Sequence, residues 1–354
     1  MARFRKTRRI NLALQGGGAH GAFTWGVLER LLDEPWLEIA GISGTSAGAL
    51  NGAALKAGMA QADGLAGRRA AGENLRWLWG QVAEVPNLHF GHWAELLMPH
   101  LPIPMRRWIE ATSPLSWMDA LARLFSPYDY GRFWRNPLQS LIEDLPYNHI
   151  CSDRGPAFFI SATNVRTGKI RVFTGDGICV QSILASACLP TMFQAVEIDD
   201  PATGRTEAYW DGGYSGNPAL FPLFEPQFPR DIMIVGINPL VREDIPRSPT
   251  EIENRINEIS FNASLLSEMR AINFARRLIA DGRLNAGTMK DVLLHMVTDD
   301  ALMVTLGVDS KMIPDRRLLS RLRAAGQMRA DEWLEAHADD IGERASVNLA
   351  ELFG

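Results

Sequence analysis

Three glycine-flanked positions in this sequence carry residue types that together could break an ester. The first is Ser46, in Gly44-Thr45-Ser46-Ala47-Gly48, between a short apolar run and an Ala-rich stretch. A serine in Gly-x-Ser-x-Gly sits on a strained strand-to-helix turn, and Gly44 and Gly48 let strand and helix crowd it without Cβ clashes. Its hydroxyl is thereby presented at a helix N-terminus, where N–H groups and the dipole favour developing negative charge. The second is Gly16-Gly17-Gly18-Ala19-His20-Gly21, also between an apolar run and a helical pattern. Consecutive glycines at Gly16, Gly17 and Gly18 can turn several amides toward one point, a nest suited to an oxyanion. The third is Asp211-Gly212-Gly213, whose carboxylate could take the proton of a nucleophilic serine. Cradle, nucleophile and base suffice for acyl transfer.

Each signal has a rival. Gly16, Gly18 and Gly21 also satisfy the Gly-x-Gly-x-x-Gly dinucleotide fingerprint, with Glu38 near the ribose-binding spacing. Glu38 opens the second strand, however, whereas a ribose carboxylate belongs at the far end, and that end runs into Ser46. The order Ser46…Asp211…His295 matches an α/β-hydrolase triad. Only two strands precede Ser46, and His295 lies in the apolar run Val292–Val297, where a satisfied strand histidine is expected. Asp-Gly alone marks turns.

The elements that would position these residues alternate in type. Ile10–Gln15 reads as a strand, the stretch from Gly21 with Phe23, Val27, Leu28, Leu31 and Leu32 as a helix, and Glu38–Ser43 as a second strand. An Ala-rich helix follows Ser46, with Gly58 as its expected C-cap. Residues 65–150 differ in texture, holding Trp77, Trp79, Trp93, Trp108, Trp117 and Trp134 with many prolines, and read as an inserted aromatic cap, either a lid or rigidly packed. Further strands are expected at Ala157–Thr163, Lys169–Thr174, Glu207–Trp210, Asp231–Asn238 and Lys290–Thr298. Helices are expected at Ser182–Ala187, from Glu251 to about Asp281, and from about Arg316. Strands alternating with helices predict a three-layer α/β/α fold with a central, mostly parallel sheet.

Taken together, the three motifs resemble those of the patatin-like phospholipase family, in the family's order: glycine-rich oxyanion loop, Gly-x-Ser-x-Gly elbow, later Asp-Gly-Gly. Ser186-Ala187-Cys188-Leu189-Pro190 is similar to a small-residue-to-proline segment beside that family's active site. The resemblance spans roughly residues 10–240. It implies a catalytic domain over 10–240; the insertion within it and the part after 240 match nothing diagnostic of the family, and 241–354 is expected as a mostly helical extension packed on the same domain, with a basic flank at 1–9. The resemblance further implies a Ser46–Asp211 dyad without catalytic histidine, an acyl-enzyme, a lipid ester substrate (phospholipid, another carboxylic ester or a storage polyester), and neither metal nor cofactor. A non-catalytic scaffold of the same fold is the reading from another class. His20 stands where many members carry Arg or Lys, which removes a permanent positive charge from the loop and suggests a structural role for the ring.

Composition narrows the partners. The formal charge of −5 over 354 residues gives no basic footprint for nucleic acid. Arg3, Arg5, Lys6, Arg8 and Arg9 read as a solvated flank, with a peripheral membrane or lipid-aggregate contact as the alternative. No run reaches the roughly 18 apolar residues of a membrane span. Ile10–Leu14 is too short for the usual apolar core of a secretory signal. Cys151, Cys179 and Cys188 lack metal-site spacing and suit free buried thiols in a reducing cytoplasm.

Overall fold

The computed structural model describes residues 6–84, 126–129, 136–284 and 287–353. Eight strands form one sheet: β1 (Arg8–Leu14), β2 (Leu37–Gly44), β3 (Ala157–Asn164), β4 (Ile170–Thr174), β5 (Val196–Asp200), β6 (Arg205–Asp211), β7 (Asp231–Val235) and β8 (Leu293–Val297). Their order is β5-β6-β3-β2-β1-β7-β8, with β4 also paired to β3. The β3-β2-β1-β7-β8 block is parallel, whereas β4 and β6 run antiparallel to β3, and β5 to β6.

Helices cover both faces. They are α1 (Gly21–Leu32), α2 (Ala47–Gln61), α3 (Gly64–Val82), the short α4 (Gln139–Glu143) and α5 (Tyr147–Ile150), α6 (Val180–Ser186), α7 (Pro249–Ala280), the short α8 (Asp300–Val304) and α9 (Val308–Met312), α10 (Arg316–His337) and α11 (Leu349–Phe353). Parallel strands buried on both faces read as continuous apolar runs, and β7 is buried at all five positions. Its side chains alternate. Met233 and Val235 join the core with Phe23, Val27 and Trp333, while Ile232 and Ile234 face Leu265, Met269 and Ile272 of α7. Two apolar layers enclosing one sheet give the expected three-layer fold. Strand order reverses direction at β1, so the loop after β1 opens at a topological switch point, where α/β sheets place their ligands.

Several expectations require correction. Of the 65–150 region read as an inserted cap, the described start is α3, a continuous helix with Ala71, Leu75, Leu78, Trp79 and Val82 buried against the core. Those five positions keep a helical period that the interspersed Arg and Gly residues obscure. Trp93, Trp108, Trp117 and Trp134 lie outside the described residues, as do His89, His92 and His100. Gly58 does not cap α2, which continues to Gln61. A Cβ there would lie 2.1 Å from the Ala71 amide nitrogen, so Gly58 marks the crossing of α2 and α3. β1 starts at Arg8, whose guanidinium bonds the Asp339 and Ile341 carbonyls, while Arg9 pairs with Glu38 at 2.9 Å. These two basic residues therefore belong to the sheet. β5 went unforeseen because its sequence, Val-Glu-Ile-Asp-Asp, is that of a charged edge strand. Cys151 and Cys179 are free but only partly buried; Cys188 is buried.

Candidate active site

β2 carries the chain into the Ser46 turn and α2 carries it away. Ser46 has φ 54° and ψ −122°, the one non-glycine residue with positive φ among those described. A side chain held there typically costs about 1–3 kcal/mol, so the surroundings must enforce it. They do so with hydrogen bonds. Ser43 Oγ donates to the Ala219 carbonyl at 2.6 Å, Thr45 Oγ1 to that of Gly216 at 2.7 Å, and the Ser46 amide to Ser186 Oγ at 2.9 Å. Close approach completes the turn: a Cβ on Gly48 would lie 2.1 Å from the Leu14 carbonyl oxygen, and one on Gly16 would lie 2.6 Å from Ser46 Cβ. Gly44 abuts Gly48, and Gly21 abuts Ala47 and the Trp79 ring. The strained serine is largely buried.

Asp211 ends β6 and is completely buried. Its amide donates to the Cys188 carbonyl at 2.8 Å, and its own carbonyl accepts from Thr163 Oγ1 at 2.8 Å, which fix the backbone on both sides. Oδ1 accepts the Gly213 amide at 2.7 Å, whereas Oδ2 meets no hydrogen-bond donor at full geometry among the described residues. Burial raises the carboxyl from the ordinary 3.8 to about 7, against the lowering pull of the Gly213 amide and the Ser46 hydroxyl. The hydroxyl thus lies near enough to act on this carboxyl. Gly212 packs on the Ser161 carbonyl and Gly213 beneath the Phe261 ring of α7.

The glycine loop rests on a buried polar frame. Gln15 Oε1 accepts the amides of Ile237 at 2.9 Å and Asn238 at 3.1 Å. Asn238 Nδ2 donates to the Gly16 carbonyl at 2.9 Å, and Gln15 Nε2 donates to Asn262 Oδ1 at 3.1 Å. The Gly16 amide donates to Asn217 Oδ1 at 2.6 Å. That bond corrects one expectation, since a committed Gly16 amide is not free to hold an oxyanion. The amides of Gly17 and Gly18 donate to no described residue, and neither does that of Ala47, the first residue of α2. The amides of Gly17, Gly18 and Ala47 are thus uncommitted among the described residues, and Ala47 lies outside the Gly16–Gly21 motif. Asn217 and Asn238 belong to no motif, whereas Ser186 opens the small-residue-to-proline segment named above. A polar Gln15 closing a buried apolar strand was the one clue that a frame was needed.

Two rival readings lose their geometry. His295 is fully buried in β8, with Nε2 3.0 Å from Asp231 Oδ1 and Nδ1 3.2 Å from Ser346 Oγ. Asp231 begins β7, at the strand-start end of the parallel block, whereas the Ser46 turn follows the end of β2, so His295 is a satisfied strand histidine outside the site. Glu38 sits at the start of β2, away from the glycine loop, and is paired with Arg9. His20 is buried with Nε2 2.7 Å from Ser310 Oγ, and burial followed by the charge of Lys311 lowers it to about 3. Its ring is neutral throughout the working range.

The family model described as patatin-like phospholipase matches residues 12–224. Among solved structures, VipD from Legionella pneumophila is similar at a TM-score of 0.40 and 15% identity, over 95% of this chain and 72% of that one. No curated protein matches. No helix among the described residues is long and apolar enough to cross a membrane.

Proposed function

The chain belongs to the patatin-like phospholipase family, and from that premise we propose that it hydrolyses lipid acyl esters through a Ser46–Asp211 dyad. Family membership supports lipid acyl hydrolysis in general. The dyad is supported by one observation: a strained serine whose hydroxyl is among the groups acting on a wholly buried carboxyl, one oxygen of which has no hydrogen-bond partner among the described residues.

In this reading Asp211 removes the Ser46 proton as Oγ attacks the acyl carbon. The carbonyl oxygen gains negative charge among the amides of Gly17, Gly18 and Ala47. Collapse expels the alcohol, which leaves with the proton held on Asp211. Water then attacks the acyl-enzyme, giving its proton to Asp211, and the free acid departs as Ser46 recovers its hydrogen. Removing one oxyanion donor typically costs about 2.7–4 kcal/mol of barrier.

Labelling with a fluorophosphonate probe, alongside a panel of phospholipids, acylglycerols, short-chain esters and hydroxyalkanoate polymer, tests this reading. Wild-type protein should be labelled and active on at least one ester, and Ser46→Ala should be neither. Folded wild-type protein inert to the probe and to every ester would instead favour a scaffold. The panel also separates phospholipid from polyester as substrate.

A further inference from the structure

Beyond the dyad and its amides, the glycine loop has an outer neighbour that no part of the proposed chemistry uses. The short helix α9 lies directly on it. A Cβ on Gly18 would fall 2.2 Å from the Lys311 carbonyl oxygen, so loop and helix touch at backbone level. Ser310 Oγ donates to the Gly307 carbonyl at 2.6 Å and so faces His20 Nε2, 2.7 Å away, as an acceptor. That assigns the His20 proton to Nε2 and leaves its buried Nδ1 with no partner among the described residues.

The Lys311 ammonium donates to Asn238 Oδ1 at 2.7 Å, and Asn238 Nδ2 donates to the Gly16 carbonyl at 2.9 Å. Cation, amide and loop carbonyl thus form one polarised chain. Lys311 has no ion-pair partner within 4.0 Å among the described residues. The charged and titratable groups that face it are Glu258 on α7, Arg242 after β7, and His20 on the loop. Glu258 is already committed to Arg242 at 2.6 Å and Arg255 at 3.2 Å. The lysine's charge is therefore left to act on the loop, whose own ring at His20 is neutral.

We propose that Lys311 is a positioning residue for ester hydrolysis: through Asn238 it fixes the glycine loop and supplies the positive charge that favours an oxyanion at the Gly17 and Gly18 amides. This rests on the oxyanion reading given above. Burial, with Arg242 adding to it against Glu258, lowers Lys311 to about 8, so its charge is lost as pH rises through that value.

Steady-state kinetics from pH 6 to 10 on wild type, Lys311→Met and Lys311→Arg test it, each variant first being checked for a cooperative melt. Wild-type kcat should fall through about pH 8. Lys311→Met should lower kcat at pH 7 by about 10-fold, less than losing a direct oxyanion donor, with KM little changed and that alkaline fall absent. Lys311→Arg should restore most of the rate and carry the plateau to higher pH. A folded Lys311→Met enzyme with wild-type kcat and the same alkaline fall would overturn the proposal. A readout independent of turnover separates this from failure of the hydrolase reading. In Ser46→Ala protein the 1H–15N signals of Gly17 and Gly18 should titrate near pH 8 and should stop doing so when Lys311→Met is added. Signals that ignore the lysine would refute the coupling whether or not the protein cleaves esters.

Discussion

At the scale of single residues, the proposed base Asp211 faces opposite demands: its ionised form serves the proposed reaction and costs the fold. Its folded pKa of about 7 exceeds the ordinary 3.8, so the folded state holds the proton more tightly than the unfolded chain. Stability therefore falls as pH rises from about 4 to 7, and the ionised form carries the full penalty above 7. Turnover runs the other way, because a base must be unprotonated and the rate should climb through about pH 7. Asp211→Asn should abolish hydrolysis yet stabilise the protein at pH 8 by about 1–3 kcal/mol, a gain nearly absent at pH 4. Thermal melts of both proteins at the two pH values check this; an Asn variant less stable at pH 8 would contradict it. His295→Ala should do the reverse. It strips a buried ring from Asp231, Ser346 and Trp333, and should cost about 2–4 kcal/mol while leaving kcat per folded molecule intact. The turns that hold Ser46 and Asp211 were legible because motif spacing reports local backbone geometry. Asn217, Asn238 and Lys311 were not, since each is a single polar residue whose meaning comes from a neighbour more than seventy positions away.

At the scale of elements, the glycine loop depends on how α1 is seated, because α1 begins at Gly21 where the loop ends. α1 crosses α10 through two glycines. A Cβ on Gly26 would lie 1.9 Å from the Arg323 carbonyl oxygen, and one on Gly326 would lie 2.1 Å from that of Phe23. Backbone cannot yield as a flexible side chain can, so Gly326→Val must push the helices apart. A loss of about 2–4 kcal/mol is expected from overpacking. Since α1 would shift with the loop attached, kcat should also fall in molecules that remain folded, and chemical denaturation with active-site titration measures the two effects separately. A wild-type melt in Gly326→Val would mean the crossing is looser than described. Strand and helix types in the parallel block were readable from apolar runs. α3 was not, because its buried period is hidden among charged residues, and β5 was not, because an edge strand needs no apolar pattern.

At the scale of the whole molecule, the recognisable motifs and the folding unit do not coincide. The family match ends at residue 224, yet the sheet does not: β8 pairs along all of β7. From the same C-terminal segment, α7 covers Ile232 and Ile234, and α10 covers Phe23, Val27 and Leu28 of α1. Asn262 donates to the carbonyls of Asn238 and Pro239 and accepts from Gln15, so the polar frame under the glycine loop also reaches beyond the match. Cutting the chain after residue 240 would re-expose at least those five large side chains, each worth about 1.5–3 kcal/mol when buried. Their sum is comparable to the whole net stability of a domain, about 5–15 kcal/mol. The fragment 1–240 is therefore expected to lack a cooperative melt, to bind a hydrophobic dye and to escape fluorophosphonate labelling, although it contains Ser46, Asp211 and every motif glycine. Circular dichroism, dye binding and labelling of the purified fragment decide the matter. A fragment that melts cooperatively and takes the probe would show that the first 240 residues alone hold the sheet and pose the serine, and that the C-terminal layers only refine what is already built.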